Sequence, residues 1–254
     1  MAIRARAWLT LLLLIAPAAS EAGERLRYAV YAAGFNILLL EATAEIGETN
    51  YRVDLTYRTV GLLGTFFPSS NESFAQGSWG VGGPEPRRFA TWGTVRGKER
   101  RAVIDFVSRQ PVIRELVPDL EDDREPVPPG LERDTVDTLS GMAFVVREVA
   151  RTGKCDGRAR LFDGRRVMDV VARPVGQEVL APDYRSAFSG PAVRCDFEGR
   201  QLAGYMKDYD AADRQKLHIN RAWFAPVGAS RTVMPVRIEF EARLVGHATA
   251  YLAP

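Results

Sequence analysis

From Leu26 to Val117 apolar and polar residues alternate with period two, interrupted at intervals by turn residues, which is the pattern of an antiparallel meander. Tyr51, Val53, Leu55 and Tyr57 alternate with Arg52, Asp54, Thr56 and Arg58, so this stretch predicts a strand with one buried and one wet face. Before it, Leu38, Leu40, Ala42, Ala44 and Ile46 form one face of a longer strand, with turns at Gly34 and at Gly47 to Asn50. Further strands are predicted over Glu72–Trp79, Arg88–Thr94, Arg101–Val107 and Pro111–Leu116, most of them separated by glycine or proline.

The period changes between Asp134 and Arg151. Val136, Leu139, Met142, Ala143, Val146, Val149 and Ala150 recur at three- and four-residue steps, which predicts an amphipathic helix with one broad apolar stripe. Asp134 or Thr135 is placed to cap its first turn and Gly153 to end it. At about 1.5 Å per residue such a helix is about 27 Å long, enough to cross a small sheet. The sheet must curl around it or lie against it. The helix then either fills the core of an all-β domain or plugs one end of a partly hollow barrel.

Pro118 to Gly130 is acidic and proline-rich and predicts an exposed crossing loop. Beyond the helix, Arg158–Phe162, Asp163-Gly164 and Arg165–Arg173 read as a two-residue hairpin, since Asp-Gly readily adopts a primed turn. Val167–Ala172 is apolar on both faces apart from Asp169, so it should be an internal strand. Val193–Phe197 and Arg200–Tyr205 read as a second hairpin around Glu198-Gly199. A short helix over Asp210–Leu217 and strands over Asn220–Phe224, Thr232–Glu241 and His247–Leu252 complete the chain.

The N-terminus changes the picture. Arg4 and Arg6, a leucine-rich run to Ala16 and small residues at Ala18 to Ser20 have the three-part form of a secretory signal peptide, with cleavage after Ser20 or Ala22. The apolar run is shorter than the roughly 20 residues of a membrane span, and no second span follows. The expected organisation is a signal peptide over 1–22 and one β-rich domain over 23–254, exported to the periplasm. Removing residues 1–20 takes away two of the 34 Lys and Arg, leaving 32 against 32 Asp and Glu. The exported chain is neutral and has no electrostatic footprint for nucleic acid. In an oxidising compartment Cys155 and Cys195 are read as a disulfide.

Candidate chemistry is sparse. The chain has two histidines, His218 and His247, and Ser140-Gly141 and Ser189-Gly190 lack the flanks of a nucleophile elbow. No catalytic residue, metal site or cofactor is expected. One segment stands out: Val60, Leu62, Leu63, Phe66 and Phe67, interleaved with Gly61, Gly64 and Pro68, make an apolar loop directly after a strand. An apolar loop is either folded back as a plug or exposed to meet a lipid or partner. The expectation is that its phenylalanines pack at the open end of the barrel near the helix.

Several local features occur together in one family. An opening Tyr-x-Val-Tyr strand (Tyr28 to Gly34), the central helix, Cys155-Asp156-Gly157, Phe162-Asp163-Gly164-Arg165-Arg166, then Cys195 and the pair Gly204-Tyr205 resemble exported bacterial proteins known only as a domain of unknown function. The resemblance implies an all-β open barrel or spiral wrapped around a helix. More loosely, that architecture is similar to periplasmic lipoprotein carriers of the LolA and LolB type. No catalytic residues come with it.

The expected protein is therefore non-enzymatic and binds an apolar or amphipathic envelope component, such as a lipid or lipoprotein, or another envelope protein. The expected surface comprises Leu62, Leu63, Phe66, Phe67, Leu139, Met142 and Val146. Two other readings are a structural envelope-integrity protein with a filled core, and an uncharacterised hydrolase.

Overall fold

The computed structural model describes residues 23, 25–119, 124–242 and 245–253. The expected signal peptide and the centre of the acidic loop lie outside these residues. The first half comprises β1 (Arg25–Ala32), β2 (Phe35–Ile46), β3 (Asn50–Thr59), the short helix α1 (Gly61–Phe66), β4 (Ser69–Gly80), β5 (Gly83–Val95), β6 (Lys98–Val107) and β7 (Gln110–Val117). Next comes the central helix α2 (Thr138–Thr152). The second half comprises β8 (Gly157–Phe162), β9 (Val167–Leu180), β10 (Gly190–Ala203), the short helix α3 (Ala211–Gln215), β11 (Leu217–Val227), β12 (Thr232–Ala242) and β13 (Gly246–Leu252).

All 13 strands form one antiparallel sheet in the order β7-β6-β5-β4-β3-β2-β1-β13-β12-β11-β10-β9-β8. Two meanders are thus joined at the centre by the first and last strands, with Tyr28 opposite Leu252 and Ala32 opposite Ala248. The sheet curls around α2 but does not close, and β7 and β8 are its edges. The chain is an all-β open barrel wrapped on a helix.

The seam between the edges is bridged without strand pairing. Val136 adds one parallel bridge to β8, donating to the Arg160 carbonyl and accepting from Phe162 N, both at 2.9 Å. The Arg165 guanidinium, in the turn after β8, donates to the carbonyls of Val117 at 2.7 Å and Pro118 at 3.1 Å, at the end of β7. Gly164, with φ of 90°, lies over Leu116, Ala102 and Ile104.

One face of α2 is buried, and it joins two clusters. Leu139 and Ala143 pack with Tyr51, Val53, Ala75 and Ile104, while Val146 and Val149 pack with Tyr28, Ala222, Phe224 and Val236. The Cys155–Cys195 disulfide, with α-carbons 6.1 Å apart, ties the segment after the helix to β10. Among the described residues no helix is long and apolar enough to cross a membrane.

Four local expectations are corrected. The helix begins at Thr138 with Asp137 as its N-cap, not at Asp134 or Thr135, because Val136 is held extended against β8; Gly153 does end it. Glu198-Gly199 is not a turn: β10 runs straight through it, paired to β9 on one side and β11 on the other, and two full ladders outweigh a local turn preference. The Asp163-Gly164 connection spans four residues, and Asp163 closes it by accepting from the backbone N–H of Arg165 at 2.9 Å and of Arg166 at 2.8 Å. The described part of the crossing loop is docked rather than free. Glu125 donates its N–H to the Tyr205 carbonyl and pairs through its carboxylate with Arg214, and Val127 and Leu131 pack against the core.

Candidate ligand-binding cavity

The buried stripe of α2 leaves a second face whose residues also recur at helical steps: Gly141, Met142, Val145 and Glu148. This face meets the sheet at Gly141, beside Leu161 of β8, and at Val145, which packs against the core. Between it and the inner side of β8–β12 lies a cavity of about 350 Å³. That is within the roughly 300–1,000 Å³ of small-molecule sites.

The walls follow from strand alternation. Leu161 on β8, Val170 on β9, Phe197 on β10, Phe224 on β11 and Ile238 on β12 all point inward, where period two places every second side chain. Cys155 of the disulfide also lines the cavity. Few charged side chains reach it, and three of them are already neutralised. Arg158 pairs with Asp169 at 2.7 Å, Arg166 with Asp163 at 2.7 Å, and Glu148 with Arg151 at 3.3 Å. The neutral polar groups of the lining are Thr138 and Asn220. Such a site offers apolar contact and little net charge, and so suits a hydrocarbon-bearing molecule with its polar end at the mouth.

At the other side of the α2 N-terminus lies a buried polar cluster. The Ser140 hydroxyl donates to the Asp137 carboxylate at 2.5 Å and accepts from the Tyr51 hydroxyl at 2.7 Å, while Ser140 N–H donates to Asp137 at 2.9 Å. Burial pushes the Asp137 carboxyl up to about 6, against the lowering effect of the Ser140 bonds, and burial also pushes the Tyr51 phenol up. A serine beside a carboxylate invites a catalytic reading, but Asp137 and Ser140 have no exposed surface and do not line the cavity. The cluster caps the helix and fastens it to β3. Among the described residues no group of three or more His, Cys, Asp or Glu side chains is placed to hold a metal ion.

The surface expected from sequence is not one surface. Leu139 and Val146 are buried core residues. Met142 is 41% exposed and lines the cavity. Leu62, Leu63, Phe66 and Phe67 are elsewhere: the expected plug is the exposed helix α1 and its C-cap, packed on β2 and β3, and none of its residues lines the cavity. The correction has a local cause. Gly64 passes so close to the end of β3 that a Cβ there would stand 2.9 Å from the Thr59 carbonyl oxygen, so the segment is folded back along its own hairpin instead of across the barrel mouth. Leu161, Phe197, Phe224 and Ile238 were readable as inward-facing, but nothing in a single strand's alternation says that the space opposite is empty.

The model of the DUF3108 family, described as a protein of unknown function, matches residues 27–253. No curated protein matches the chain. Among solved structures, the chain is similar to a β-barrel-like protein of the domain of unknown function DUF1849 from Brucella abortus, at 11% identity and a TM-score of 0.51, covering 91% of this chain and 96% of that one. This likeness concerns the fold. A structure described as a candidate lipoprotein from Parabacteroides distasonis, at 9% identity and a TM-score of 0.36 over 91% of this chain and 94% of that one, is too distant to argue from.

Proposed function

The chain belongs to the DUF3108 family, and from that premise we propose that it is a non-enzymatic binding protein of the cell envelope, sheltering the apolar part of an amphipathic component in the cavity between α2 and β8–β12. The observation that carries this reading is the cavity of about 350 Å³ between α2 and β8–β12, walled by apolar side chains. The Cys155–Cys195 disulfide supports an oxidising compartment such as the periplasm. Lipids and the acyl chains of lipoproteins have the chemistry the walls accept.

The test is native mass spectrometry of protein purified from the periplasm without detergent. A lipid-sized adduct is expected on the wild type and its loss on Val170→Trp, which fills the cavity from β9. A wild type free of adduct that also fails to take up an apolar fluorescent dye would leave the filled-core structural reading in its place.

A further inference from the structure

The β1–β2 turn, α1 and the β5–β6 turn lie side by side on one rim of the barrel. The register requires it, since Phe35 faces Ala32, Leu38 faces Thr59, Ser69 faces Val95, and Val95 faces Lys98. This rim carries four exposed large apolar side chains. Leu62 is 69% exposed, Phe66 72%, Phe35 66% and Phe67 40%. They are not loose. Val60 N–H donates to the Ile37 carbonyl at 3.0 Å, Phe67 N–H to the Leu63 carbonyl at 2.8 Å, and the Thr59 hydroxyl accepts from Ser69 N–H at 2.9 Å. The fold holds a rigid apolar tip out into solvent, at a cost that a monomer in water has no reason to bear.

Cations surround this tip. Arg96 stacks its guanidinium over the Phe67 ring at 5.2 Å, and Arg58 and Lys98 are exposed on the adjoining strands. Among the described residues none of these three is held in an ion pair. The neighbouring acid Glu99 is turned into a pair with Arg101 at 2.7 Å, and Glu72 lies further along β4. Below the tip, Trp92 exposes its indole on the outer face of β5, packed edge-on against Phe74. Apolar residues at the point with cations close behind them match an anionic bilayer surface, where acyl chains lie beneath a layer of phosphates.

We propose that this rim docks the protein peripherally on a membrane surface containing anionic phospholipid, with Leu62 and Phe66 inserting and Arg58, Arg96 and Lys98 meeting the phosphates. The inference does not require the cavity to hold a ligand.

The experiment is cosedimentation of the purified protein with vesicles of phosphatidylcholine and phosphatidylglycerol, and with vesicles of phosphatidylcholine alone. The wild type is expected to bind the first and not the second, less tightly as salt is raised. Leu62→Ser with Phe66→Ser should weaken binding at least about tenfold, because two large apolar side chains are withdrawn from the bilayer. Arg96→Glu with Lys98→Glu should weaken it about fivefold or more for each charge removed. All four positions are exposed, so melting temperatures should be unchanged, and Val170→Trp should bind vesicles like the wild type whatever it does to ligand retention. Wild-type protein that binds neither vesicle, or binding indifferent to both double variants, would overturn the proposal. So would a lipid-free dimer that Leu62→Ser with Phe66→Ser dissociates, since the rim would then belong to a second copy of the chain.

Discussion

Asp137 shows how much a single buried group weighs in this core. Its carboxyl has no cation beside it, and desolvation raises it from 3.8 to about 6. The folded state therefore holds this proton more tightly than the unfolded state does. Its contribution to stability is fully present below the lower value and is lost as pH rises through the upper one, a difference of about 3 kcal/mol. Denaturant melts between pH 4 and pH 7.5, a range set by those two pKa values, should show the wild type losing about 2 to 3 kcal/mol relative to Asp137→Asn as pH rises. A difference that stays flat across this range would show the carboxyl to be unshifted. The same helix supplies a contrast in apolar residues. Leu139→Ala should cost about 2 to 5 kcal/mol because it empties a filled core, whereas half-exposed Met142 should cost about 1 kcal/mol or less while changing dye or lipid retention. Equal losses at the two positions, with retention unchanged, would contradict the division of α2 into a packed face and a cavity face.

The elements themselves were largely legible, because alternation of side chains is a property of each strand taken alone. β2, β3, β6 and β13 fall within a few residues of the reading, and so does the end of α2 at Gly153. What misled was local turn chemistry in a tertiary setting. Glu198-Gly199 has turn composition but sits between two ladders, and Gly199 gives room for Met168 on the neighbouring strand instead of a reversal. The apolar loop after β3 announced itself by composition, yet composition has no direction, and its place on the rim depends on the close approach of Gly64 to Thr59. The cysteine pair was legible from count and compartment, and it closes a loop of 40 residues. Replacing both cysteines with serine should cost up to about 4 kcal/mol in denaturant melts. The same loss should appear when the wild type is melted in reductant, and agreement of the two curves checks that the bond, not the serines, is responsible.

At the scale of the whole molecule the cavity is a consequence of an unclosed sheet. A closed barrel of this many strands would stand away from a single helix on all sides; here the helix touches β2 to β5 as well as β8 and β12, and a space is left between it and β8–β12. Among the contacts across the seam are those of Arg165 with the Val117 and Pro118 carbonyls. Arg165→Ala should loosen the β8–β9 turn, read as faster amide hydrogen exchange at Phe162 and Val167 than in β2, with the rest of the sheet unaffected. Uniform acceleration throughout would mean that the seam and the sheet open as one. The central pairing of β1 with β13 has a consequence in time. A chain made from its N-terminus displays β1 before the other strands of the sheet and β13 after all of them, so the middle ladder waits for the last strand. Until then two half-sheets each show an unpaired central edge, and the second also shows the wall of the future cavity. A nascent chain arrested anywhere before Gly246 keeps both of these edges open, a ready client for whatever chaperone keeps such edges apart.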